Sequence, residues 1–198
     1  MRHILFAFLI IYTFFITNVY SDAIKKSGFI DPKVKIMKSE EIEDPKNKII
    51  IIYNHGQNSL DNKGKDCTWI GSLRNKASLV NNEVNGKSIL VYNLCTNKLD
   101  GDEPSNWWGS GSIYKGKTKL DKRVEANLEL VEKFVSKGVP RKQIFITGHS
   151  CGGLTTLLFL TRHPDKVGGG ISYMHACFGK LSNQYKVKKV GVEKALNK

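Results

Sequence analysis

The sequence predicts an α/β fold, a mostly parallel sheet with helices on both faces, and three observations carry that expectation. Short apolar runs alternate along the chain with helix-length amphipathic or apolar segments, the pattern in which helical crossovers join parallel strands. The run Ile49, Ile50, Ile51 and Ile52 is continuous rather than alternating, too short for a helix and too apolar for a sheet with one wet face, so both of its faces are expected to be covered. His55-Gly56-Gln57, Trp107-Trp108, Ser150 and His175 each follow one of the apolar runs, and in parallel sheets that carboxyl edge is where ligands bind.

Taken in order, a first strand is expected over residues 48–53, ending in Asn54, His55, Gly56 and Gln57. A helix follows over residues 68–79, then a second strand over residues 88–94 and a Gly-rich loop over residues 100–117 that holds Trp107 and Trp108. The clearest helix has Leu120, Val124, Leu128, Val131 and Val135 at helical spacing, with Phe134 widening the stripe and the charges assigned to the other face. Gly138 and Pro140 are its stop signals. A strand over residues 143–147, a helix over 153–162 and a short buried strand over 168–174 close the alternation and lead to His175.

The first residues are read apart from the fold. Arg2 and His3 precede an unbroken apolar stretch over residues 4–16, and Val19, Tyr20 and Ser21 make a small-residue cleavage site. The stretch is shorter than the roughly 20 residues a membrane-spanning helix needs. Residues 1–21 are therefore expected to be a cleaved signal peptide, leaving residues 22–198 as one secreted or periplasmic domain with no membrane partner. Residues 22–48 stand apart in composition as a charged, Pro-containing stretch.

The formal net charge of +13 raises nucleic acid as a partner. The lysines, however, are spread over every segment, form no basic block and are not interleaved with aromatic residues for base stacking. A solvated lysine-rich surface is expected, with no nucleic-acid partner. Of the cysteines, Cys67 before a helix and Cys95 at the end of a strand are expected to pair across one edge of the sheet, with Cys151 and Cys177 free. No CxxC pair occurs, and Asp100, Asp102 and Glu103 do not match a calcium loop. Neither a metal nor a cofactor is expected.

The strongest chemical signal is Gly148-His149-Ser150-Cys151-Gly152, set between an apolar strand and an apolar helix. So tight a turn needs neighbours without side chains, and it holds the serine in a strained conformation with its hydroxyl above the sheet and the first helical N–H groups beside it. That is a nucleophile elbow.

With Asn54-His55-Gly56-Gln57 after the first central strand, and two βα units between the motifs, the chain resembles the α/β-hydrolase superfamily, in particular secreted esterases and relatives similar to dienelactone hydrolase. The resemblance covers residues 48–180. It implies Ser150 as nucleophile, the backbone N–H groups of Cys151 and Gln57 as oxyanion hole, and a small-molecule ester as substrate. Dienelactone hydrolases usually carry cysteine as nucleophile, whereas here that position is Ser150. His55 reads as a structural residue of its loop, and Trp107 and Trp108 as an apolar wall for the substrate.

A serine nucleophile needs a histidine base and an acid to orient it, which the superfamily supplies downstream. After Ser150 this chain offers only His163, His175, Asp165 and Glu193. His163 and Asp165 fall at the far end of the helix that starts at the elbow, about 15 Å away, and Glu193 lies in a charged tail. His175 remains as a site residue at the correct edge, without a following acid. The triad's acid and base are expected to be missing from this chain, as in the N-terminal portion of a longer hydrolase or a natural truncation. The competing expectation is a non-catalytic secreted binding domain that keeps the hydrolase framework.

Overall fold

The computed structural model describes residues 27–37, 41–56, 70–96 and 119–175. Their strands are β1 (Gly28–Ile30), β2 (Ile36–Met37), β3 (Lys48–Asn54), β4 (Glu83–Val84), β5 (Lys87–Leu94), β6 (Ile144–His149) and β7 (Gly169–Tyr173). The helices among these residues are α1 (Ile70–Ala77), α2 (Lys119–Ser136) and α3 (Cys151–Arg162). The signal-peptide expectation lies outside the described residues.

The strands form one sheet in the order β2-β1-β5-β3-β6-β7, with β4 beside β5. The central part, β5-β3-β6-β7, is parallel throughout. Helices cover both faces of the sheet, so the structure is an α/β fold of the expected kind. Ile50 and Ile52 of β3 point into a core built with α2 and α3, including Leu120, Val131, Phe134, Leu154 and Phe159. Ile49 and Ile51 point the other way and pack with Leu73 and Ala77 of α1. The isoleucine run is thus buried from two sides, and a fully buried isoleucine contributes about 2 kcal/mol.

Chain direction explains why the sheet has a crevice. From β3 the chain crosses through α1 to β5 on one side, then returns through α2 to β6 on the other side of β3. The strand order reverses at β3, and such reversal points open a cleft beyond the strands' carboxyl ends.

Four strands depart from expectation: β1 and β2 lie within residues 22–48, β4 precedes β5, and β7, expected to be buried, exposes Ile171 and Tyr173. β1 and β2 pair antiparallel, and β1 continues antiparallel onto β5. Phe29 is buried there, with its ring 5.2 Å from Tyr92 and 5.6 Å from Phe134. β4 and β5 form a hairpin whose turn residues, Asn85 and Gly86, have φ of 52° and 72°, as tight primed turns require. α2 closes as its stop signals predict: Gly138 N–H donates to Val135 O and Val139 N–H to Phe134 O, a Schellman motif with Gly138 at φ 94°.

Candidate active site

Parallel pairing of β3 with β6 sets Asn54 beside Gly148, so the segments that leave these strands meet at the reversal point. β6 ends at His149 and α3 begins at Cys151, leaving Ser150 alone to make the turn. It does so at φ 56° and ψ −122°, a conformation that side chains rarely adopt. The flanking glycines follow from contact distances. A Cβ on Gly148 would lie 2.3 Å from Gly152 backbone atoms, and one on Gly152 would lie 2.0 Å from Asn54 O.

The strained serine is held at both ends of its peptide unit. Its N–H donates to Tyr173 O of β7 at 3.1 Å, and its carbonyl accepts from Leu154 N of α3 at 3.1 Å. Its hydroxyl does not cap the helix, and the residue is half-buried. Cys151, the first residue of α3, is fully buried. Its N–H belongs to the first turn, where amides have no acceptor within the helix.

The segment after β3 lies directly against this turn. A Cβ on Gly56 would stand 3.3 Å from Ser150 Cβ and 3.7 Å from Ser150 Oγ. His55 is buried, and its Nε2 lies 3.2 Å from Thr96 N, a donor. Nε2 therefore accepts, and Nδ1 carries the proton that it donates to Gly56 O at 2.7 Å. That tautomer makes His55 a fastener between the ends of β3 and β5, in keeping with its reading as a structural residue.

Beneath the segment lies a buried polar group that includes Arg123, a charge expected on the face of α2 away from the apolar stripe. Arg123 and Asn127 of α2 are both fully buried. Arg123 Nη2 donates to His55 O at 2.7 Å. Asn127 exchanges hydrogen bonds with the Asn54 side chain at 2.8 and 3.0 Å, and its Nδ2 also lies 2.7 Å from Arg123 O. Burial pushes the Arg123 guanidinium down to about 9, partly offset by Tyr53, which leaves it cationic at neutral pH. The missed signal was spacing: Arg123 and Asn127 fall within the helical stripe of Leu120, Val124, Val131 and Phe134.

His175 is exposed, and its Cα lies 3.1 Å from where a Cβ on Gly153 would stand, against the first turn of α3. His163 is not brought to the site. It ends α3 at the opposite terminus, with its ring 5.2 Å from Phe159, and burial lowers its pKa, aided by Arg162 and Lys166. Asp165 lies in the turn that follows. Gln57, Trp107 and Trp108 lie outside the described residues.

One expectation is overturned outright. Cys151 is disulfide-bonded, as is Cys95, and no described cysteine is free. Burial of the Cys151 side chain beside the nucleophile is as compatible with a cystine as with a free thiol. Among the described residues, no three His, Cys, Asp or Glu side chains converge as a metal site, and no helix is long and apolar enough to cross a membrane.

No protein-family model and no curated protein matches the sequence. Among solved structures, the chain is similar to a phospholipase/carboxylesterase from Dyadobacter fermentans, at 21% identity and a TM-score of 0.40 over 65% of this chain and 54% of that one. It is similar to an S-formylglutathione hydrolase from Staphylococcus aureus, at 18% identity and a TM-score of 0.40 over 80% of this chain and 55% of that one. It is also similar to an acetyl xylan esterase from Paenibacillus sp. R4, at 14% identity and a TM-score of 0.44 over 79% of this chain and 55% of that one. The chain thus spans about half the length of these structures.

Proposed function

We propose that this chain is a serine hydrolase of the α/β-hydrolase type that cleaves a small-molecule carboxylic ester through an acyl-enzyme on Ser150. The observation that carries the reading is the strained Ser150 at φ 56° and ψ −122°, between a helix N-terminus and the Gly56 segment. Strain of this kind persists only where the surrounding structure enforces it, and it concentrates at sites of chemistry. In the reaction, Ser150 Oγ attacks the ester carbonyl carbon and its proton passes to a general base. The resulting oxyanion is met by the N–H groups of Cys151 and Gln57, the alcohol leaves, and water releases the acid. His175 is a site residue in this reading, and Trp107 and Trp108 form the apolar wall. The general base and its acid are left unassigned.

The same reading makes the protein secreted or periplasmic after removal of residues 1–21. Disulfides at Cys95 and Cys151 support it, since such bonds persist in oxidising compartments.

Treatment of the full-length, folded protein with a fluorophosphonate probe tests the assignment. One covalent adduct is expected, on Ser150, and none in Ser150→Ala. A full-length, folded protein in which Ser150 stays unlabelled would overturn the proposal in favour of a non-catalytic binding domain.

A further inference from the structure

We propose that Arg123 is a positioning residue for the segment that leaves β3: from inside α2 it holds the His55 carbonyl, and so fixes Gly56, the next residue, against Ser150. The catalytic meaning of this inference rests on the hydrolase reading above. The clamp itself rests on geometry.

A guanidinium in the core is costly to desolvate, and a leucine at the same place on the α2 stripe would not incur that cost. What Arg123 supplies is a charge-assisted donor, 2.7 Å from the carbonyl of the first residue beyond β3. Within β3 the carbonyls are satisfied by β5 and β6; beyond Asn54 those ladders stop. Asn127 extends the hold by one residue, pairing with the Asn54 side chain while also donating to Arg123 O. Two neighbouring side chains on one helix thus grip two consecutive residues at the end of β3. The His55 ring secures the same segment from a third side, through Thr96. Gly56, the next residue, is the one that abuts Ser150. A shift of the His55 carbonyl therefore moves Gly56 relative to the nucleophile, and misplacement by about 1 Å is enough to cost a hundredfold in rate.

The experiment compares full-length wild type with Arg123→Met, which keeps the apolar stem, and Arg123→Lys, which restores a cationic donor. Amide hydrogen exchange at residues 54–56 is expected to be about tenfold faster in Arg123→Met, as loss of a charge-assisted hydrogen bond implies. Exchange in α3 and β5 should stay at the wild-type rate. The maximal rate of fluorophosphonate labelling of Ser150 should fall about tenfold or more with half-saturation unchanged, and Arg123→Lys should recover most of both effects. If Arg123→Met does not fold, Arg123→Lys carries the comparison alone, with partial versions of the same two changes. Wild-type exchange at residues 54–56 in the folded variants, or an equal rise everywhere, would overturn the clamp. An unlabelled wild type would overturn the hydrolase reading and the catalytic role together, whereas faster local exchange with undiminished labelling would overturn the catalytic role alone.

Discussion

Ser150 is where conformation and chemistry are most directly opposed. A side chain held at φ 56° and ψ −122° costs about 1–3 kcal/mol, which glycine largely escapes. Ser150→Gly is therefore expected to raise the free energy of unfolding by about 1 kcal/mol while abolishing labelling, and Ser150→Ala to abolish labelling without that gain. Urea unfolding of the two variants checks this; equal stabilities would mean that the elbow stores no strain. The strain was legible in the sequence because the glycines at positions 148 and 152 have a geometric reason to be there. The burial of Arg123 was not. Its position on the α2 stripe is visible in the sequence, but the carbonyl it serves belongs to His55, far away along the chain, and exists as a need only once β3 has run out of ladder partners.

Among the elements, those decided by local pattern were read well. β3, β5, β6, α2 and α3 lie within a few residues of their expected spans, because each combines an apolar run with a definite stop. The end of α2 is the clearest case. Gly138 adopts φ 94°, and a Cβ there would also stand 3.1 Å from Pro45 Cγ. Gly138→Ala is expected to destabilise the fold by about 1–2 kcal/mol, visible as a lower urea midpoint with an unchanged slope; a variant as stable as wild type would refute the cap's role. β1, β2 and β4 were missed for two different reasons. β1 and β2 are short, and their partners are set by tertiary pairing. β4 is announced by Asn85-Gly86, a hairpin turn signal in the sequence.

At the level of the whole molecule, the cystines are what the sequence could least specify, since spacing leaves connectivity open. Cys95 follows β5 and Cys151 opens α3, so each bond starts at the carboxyl edge of the sheet, beside the ends of strands that flank β3. Removing a native disulfide typically costs about 2–5 kcal/mol. Reduction under native conditions is therefore expected to lower the thermal midpoint measurably and to slow fluorophosphonate labelling, because Cys151 is also the neighbour of the nucleophile. An unchanged midpoint in reductant would show that the cystines do not stabilise the fold. One further consequence concerns the order in which the molecule comes into being. The Ser150 N–H is bonded to Tyr173 O of β7, the last described strand, so the turn is not secured when its own residues have been made. At ribosomal speeds of roughly 5–20 residues per second, β7 follows the elbow by roughly a second or more. During synthesis the nucleophile would thus exist as sequence before it exists as geometry, and the nascent chain would stay inert until its sheet is extended past it.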